Sequence, residues 1–220
     1  MVELTETEKL EYQTRKYSVL ITNETSGNQG SGLLFYPGSG DRLYVFTCAH
    51  VVDQAEKVQA TFLLPKVTEQ YDYDVCHLTA PAEQIIFSPL DKTTGGKIGQ
   101  LQHTHDVAVI VFHKDETLHL GCTAYYLSEA EDYMSLYVQG YPGGWRDGEE
   151  FLFALDRTTG KVKAAAPRNP FFEFRVEDDF LDAGDRELEL EGFSGSPVWD
   201  SSDQEHSVVG LMAAGKRDNA

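Results

Sequence analysis

Apolar residues along this chain come in short runs broken by clusters of Gly, Pro, Asn and Asp, the rhythm of strands and turns rather than of helices. Leu43-Tyr44-Val45-Phe46 and Val107-Ala108-Val109-Ile110-Val111-Phe112 are continuous, as in strands covered on both faces. The pattern predicts strands over residues 17–22, 33–36, 43–48, 58–64, 84–88 and 107–112. Further strands are predicted over 136–139, 150–155, 161–165 and 171–176, and again in the run that starts at Val208. Asp156-Arg157-Thr158-Thr159-Gly160 reads as a turn joining two of them. Residues 66–83 and 90–105 read as long surface loops. Helix signals are confined to a turn at His50, residues 4–12 and residues 128–133. The fold class expected is all-β, with no internal repeat.

Composition sets the scale. At 220 residues and 41% hydrophobic, with 12 Phe and 11 Tyr, the chain can bury a sizeable core. A net charge of −18 argues against nucleic acid, which needs a basic surface, and against an anionic membrane as partner. The first residues are polar and acidic, unlike a signal peptide, and no apolar run approaches the ~18 residues of a membrane span.

One hexapeptide changes the picture: Gly192-Phe193-Ser194-Gly195-Ser196-Pro197. Glycines on either side of a serine let the backbone fold tightly around its hydroxyl. The N–H groups of Gly192 and Ser194 can then converge beside it, which is the arrangement of an oxyanion hole. Upstream, Thr47-Cys48-Ala49-His50-Val51-Val52 ends one apolar strand, and Asp106 heads another. A carboxylate at the head of a buried run needs a partner, because burying it alone is costly. Other groupings carry less. His103 and His105 share a strand face but lack a third ligand nearby, so no metal is expected. The glycine–lysine runs at 94–97 and 159–161 lack the spacing of a phosphate loop. No organic cofactor is implied, and His77, His113, His119 and His206 read as surface residues.

In these residues the chain resembles the trypsin-like (chymotrypsin-fold) serine proteases, and their bacterial intracellular members in particular. The order His50, Asp106, Ser194, with gaps of 56 and 88 residues, is the family's. Gly30-Ser31-Gly32 is similar to the segment before the histidine strand. Tyr137-Val138-Gln139-Gly140-Tyr141-Pro142 is similar to the opening of the second barrel, and 208–215 to the strand after the nucleophile. The resemblance implies two six-stranded antiparallel β-barrels, about 16–113 and about 120–220, with the active site in the cleft between them. It implies a serine endopeptidase acting on protein or peptide substrates: Ser194 as nucleophile, His50 as base and acid, Asp106 as orienting carboxylate. Ala213, Ala214 and Gly215 would pair with the substrate backbone.

Departures from the family sharpen the reading. Extracellular relatives carry disulfides, whereas Cys48, Cys76 and Cys122 are three, at unrelated spacings. Free thiols and a cytoplasmic setting are expected. Phe193 stands where secreted members place an aspartate that pairs with a cleaved N-terminus, so that switch is lacking. Only five residues follow Gly215, so either the second barrel is incomplete or the chain continues into more protein. Trypsin-like domains of this kind head larger bacterial proteins, including anti-phage systems. The expectation is therefore a regulated effector domain joined to a C-terminal sensor module or partner subunit. The alternative is a catalytically idle protease fold that binds peptides or proteins. The acidic stretch 177–191 favours basic substrates while Leu188 does not, and side-chain specificity stays open.

Overall fold

Alternation of apolar and polar positions builds the first sheet from adjacent strands of the chain. The computed structural model describes residues 14–65, 73–88, 106–114, 118, 120, 123–131, 134–141, 156–164, 173–176, 192–202 and 207–213. For Pro65, Tyr73 and residues 156–164 and 173–176, only the backbone is described. Seven strands make this sheet: β1 (Ser18–Asn23), β2 (Gln29–Phe35), β3 (Arg42–Cys48), β4 (Lys57–Pro65), β5 (Tyr73–Pro81), β6 (Ile85–Phe87) and β7 (Val107–His113). Their order across the sheet is β5-β4-β1-β2-β3-β7-β6, and the sheet curls until β5 meets β7. Val19, Ile21, Val45, Val58, Phe62, Ile110 and Phe112 point inward and are almost fully buried. Each such side chain contributes roughly 1.5–3 kcal/mol relative to exposure.

The second sheet has six strands: β8 (Tyr126–Leu127), β9 (Ser135–Gly140), β10 (Asp156–Ala164), β11 (Glu173–Val176), β12 (Pro197–Asp200) and β13 (Ser207–Leu211). Their order is β11-β10-β9-β12-β13-β8, antiparallel except for the β13–β8 pair. The molecule is all-β with the two-barrel arrangement of the chymotrypsin fold. A seam of Tyr17 and Leu33 from the first half with Tyr137, Trp199 and Val208 from the second joins the two. Within it, the Tyr137 and Trp199 rings stack with centroids 6.4 Å apart. Polar groups cross the seam too: Ser18 Oγ donates to the Gln139 carbonyl at 3.3 Å.

Three expectations about elements need correction. The first sheet has seven strands, not six, because β5 lies where a loop was expected. β5 pairs residue for residue with β4, from Lys57↔Pro81 to Pro65↔Tyr73. Val75, His77 and Thr79 face outward to solvent and an exposed Asp74 heads the inner face, so polar residues dilute the apolar signal of Cys76, Leu78 and Ala80. Secondly, Asp156–Gly160 is not a turn but the first half of β10, paired with Gly140 through Leu136 of β9. Nine residues of ladder override the turn preference of Asp, Thr and Gly. Thirdly, 128–131 is not helical. The expected helix at 4–12 and strand at 150–155 lie outside the described residues.

Candidate active site

The histidine corner follows from sheet register. β3 and β7 pair along their full length, from Arg42↔His113 to Cys48↔Val107. The residues just past that last pair, Ala49 and His50 on one side and Asp106 on the other, must therefore face each other. A single 3-10 turn over Ala49–Val51 aims the imidazole. Asp106 is 2% exposed and has φ +47, a left-handed conformation that Asp tolerates better than most residues. Three hydrogen bonds compensate for it. The Ala49 N–H donates to the Asp106 carbonyl at 3.0 Å. The His50 backbone N–H donates to Oδ1 at 3.0 Å, and His50 Nδ1 to Oδ2 at 2.7 Å. A carboxylate can only accept, so Nδ1 carries the ring proton and the Nε2 lone pair is left as the basic face. His50 is about a quarter exposed.

The serine loop comes from the other half. Gly192 and Gly195 have φ +94 and +88, which a side chain would strain. A Cβ on Gly195 would also run into the Ser31 carbonyl and the Thr47 hydroxyl. Between them Phe193 is 2% exposed, packed with Leu136 and Val138 of β9 and Val198 of β12. Gly195 N–H donates to the Met212 carbonyl at 2.7 Å, and Met212 N–H to the Ser196 carbonyl at 2.8 Å. Ser31 N–H donates to the Ser194 carbonyl at 2.7 Å. Gly30 marks where the two halves meet: a Cβ there would lie 2.6 Å from the Val51 side chain and 3.0 Å from the Ser194 carbonyl. The His50 turn and the Ser194 loop thus flank one backbone position.

Two backbone N–H groups of this loop, those of Gly192 and Ser194, bear on the oxyanion-hole expectation. The Phe193 carbonyl accepts from Ser196 N–H at 2.8 Å. In a trans peptide the N–H opposes the C=O, so the Ser194 N–H points away from that bond. Among the described residues, neither Gly192 N–H nor Ser194 N–H has a hydrogen-bond partner. Ala213 follows Met212 and packs against the first core. Ala214, Gly215, Cys122, His103 and His105 lie outside the described residues.

Cys48, expected from the sequence only as a free thiol, holds a specific position. Its Sγ donates to the Met212 carbonyl at 3.1 Å, tying the end of β3 to the chain after β13. Burial, reinforced by the neighbouring Asp106 carboxylate, pushes its thiol far above the ordinary range. Cys48 Sγ, His50 Nδ1 and an Asp106 oxygen lie within 4.8 Å of one another, close enough for a three-donor metal set. As arranged these groups are engaged in hydrogen bonds, His50 Nδ1 with Asp106 Oδ2 and Cys48 Sγ with the Met212 carbonyl. Ser31 and Thr47 are the contributions that sequence reading passed over. The only signal was the Gly-Ser-Gly beside a histidine strand.

The profile of the trypsin-like peptidase domain family matches residues 30–211, most of the chain. The chain belongs to that family. A search of curated proteins finds no match. Among solved structures, this trypsin-like chain is similar to Deg5, at 16% identity over 97% of the chain and 88% of Deg5, with a TM-score of 0.58. It is also similar to the Rv3671c protease in an inactive form, at 17% identity over 94% and 81%, TM-score 0.53. A further inactive form of Rv3671c, from M. tuberculosis H37Rv, matches at 18% identity over 96% and 80%, TM-score 0.51. At these identities the likeness speaks for the fold alone.

Proposed function

We propose that this trypsin-like peptidase is an active serine endopeptidase with Ser194 as nucleophile, His50 as general base and acid, and Asp106 as the carboxylate that orients the ring. The observation that carries the reading is the double engagement of Asp106, which accepts from both the backbone N–H and Nδ1 of His50. A buried acid used in this way fixes one tautomer and one ring orientation, which is what a base at Nε2 requires.

In this mechanism Ser194 Oγ attacks the scissile carbonyl while Nε2 takes its proton. The developing oxyanion is stabilised by the N–H groups of Gly192 and Ser194. The imidazolium then gives its proton to the leaving amine, and an acyl-enzyme remains on Ser194 Oγ. Water, deprotonated by Nε2, attacks the acyl carbonyl. As the tetrahedral species collapses, the proton returns to Oγ and the acid product leaves. The segment Ala213-Ala214-Gly215 pairs with the substrate backbone in this reading.

The same proposal extends to context: a bacterial, cytoplasmic protease controlled by a C-terminal sensor module or partner subunit, as in anti-phage defence. Supporting it are free thiols at Cys48 and Cys76, and Phe193 in place of the aspartate of a zymogen switch. Among the described residues no helix is long and apolar enough to cross a membrane.

The test is hydrolysis of an unfolded protein substrate by wild type and Ser194→Ala. Cleavage by wild type that is lost in the variant supports the reading. Equal cleavage by both, or none by wild type with and without candidate partner subunits, sinks it and leaves the idle, peptide-binding fold.

A further inference from the structure

We propose that Ser31 is a positioning residue for the oxyanion hole, holding the nucleophile loop in its working shape from the opposite barrel. The proposal rests on Ser194 being the nucleophile. Ser31 lies in β2 of the first sheet, is fully buried, and uses every polar atom it has. Its N–H donates to the Ser194 carbonyl at 2.7 Å. Its hydroxyl donates to the Gly192 carbonyl at 2.7 Å and accepts from the Tyr141 N–H at 2.9 Å. Its own carbonyl accepts from Thr47 Oγ1 at 2.6 Å.

These bonds pin the carbonyls at both ends of Gly192-Phe193-Ser194. One peptide, Phe193–Ser194, lies between the two so pinned; it carries the Ser194 N–H, and its own carbonyl is held by the Ser196 N–H. With the Gly192 carbonyl held and its φ at +94, the direction of the Gly192 N–H is set from the same residue. The hydroxyl has a single proton, so accepting from Tyr141 and donating to Gly192 leaves it one orientation. Bare glycine backbone lies against Ser31 at two points, its hydroxyl and its carbonyl. A Cβ on Gly140 would lie 2.8 Å from Ser31 Oγ, and one on Gly195 would overlap the Ser31 carbonyl. Three segments that are distant in sequence are thus cut to fit around one serine: β2, the end of β9 and the nucleophile loop. Oxyanion donors act only when aimed before the reaction, so a residue that aims them acts on kcat rather than on substrate binding.

The experiment compares wild type with Ser31→Ala and Ser31→Cys, on a peptide substrate and with a peptide boronate that forms a tetrahedral adduct on the serine. Ser31→Ala is expected to lower kcat by about 10- to 100-fold with KM changed less than about threefold, since small misplacements of aligned groups cost about that much. Boronate affinity should fall in parallel with kcat/KM. Ser31→Cys, a weaker donor and acceptor, should lie between Ser31→Ala and wild type. If kcat and boronate affinity stay at wild-type values while only the melting temperature falls, Ser31 is a packing residue and the proposal is wrong. Should Ser31→Ala not fold, Ser31→Cys decides alone: a reduced kcat at unchanged KM supports the role, and an unchanged kcat overturns it. Wild type is first labelled with a fluorophosphonate. Absence of label on Ser194 would refute the nucleophile assignment, whereas label together with unchanged Ser31 kinetics refutes only the positioning role.

Discussion

The two halves of the site are held by different means. His50 and Asp106 belong to one sheet, and seven consecutive β3–β7 pairs bring them face to face before any contact with the second half. Ser194 belongs to a loop that has no ladder of its own. It is fixed by Phe193 sunk into the second core, by two bonds to Met212, and by Ser31 from the first sheet. On the proposed reading, the base is a product of local register, and the nucleophile a product of how the two halves meet.

The largest expected effects come from removing either half outright. Ser194→Ala and His50→Ala should each lower kcat by up to about a millionfold, the loss another serine protease shows without a triad member. Asp106→Asn keeps one acceptor for the His50 backbone but allows the wrong tautomer, and should cost about ten-thousandfold in kcat. Steady-state kinetics on one peptide substrate checks all three. Retention of more than a tenth of wild-type kcat in any of them would remove that residue from the mechanism.

A pair of core phenylalanines sharpens the contrast. Phe62 in the first core and Phe193 under the serine loop are 1% and 2% exposed. Either Phe→Ala change should cost about 3–5 kcal/mol of stability, read from denaturant unfolding. Only Phe193→Ala should also lower kcat per folded molecule, about tenfold or more, because its side chain anchors the loop. Equal kcat in the two variants would show that the loop does not depend on that anchor.

Much of the histidine corner could be read from sequence, because continuous apolar runs mark β3 and β7 and a charged residue at their edge stands out. The serine loop was legible only as a motif. What holds it, Ser31 and the Cys48–Met212 bond, joins residues more than 150 positions apart and leaves no local pattern. β5 and the start of β10 were missed for the related reason that pairing partners, not their own residues, make them strands. For β5, the alternation of Cys76, Leu78 and Ala80 was present but faint, since one face of an edge strand carries polar side chains.

A smaller effect concerns pH. The Cys48 thiol is held protonated in the folded chain by burial and by Asp106, whereas in the unfolded chain it ionises near its ordinary value. Its contribution to stability is thus fully present below the unfolded thiol pKa, about 8.5, and is lost progressively as pH rises above it. Cys48→Ala should flatten the decline in stability between about pH 8.5 and 10, before tyrosines titrate. Urea unfolding across that range is the check, and an unchanged slope would show that the thiol is not so held. Reductant should leave the melting temperature unchanged, since Cys48 and Cys76 are free.

The most direct measurement is labelling with a fluorophosphonate followed by peptide mapping, on wild type, His50→Ala and Ser31→Ala. The account predicts a single adduct on Ser194, formed rapidly in wild type, more slowly in Ser31→Ala, and barely at all in His50→Ala. An adduct on another residue, or labelling of Ser194 at the same rate without His50, would contradict it.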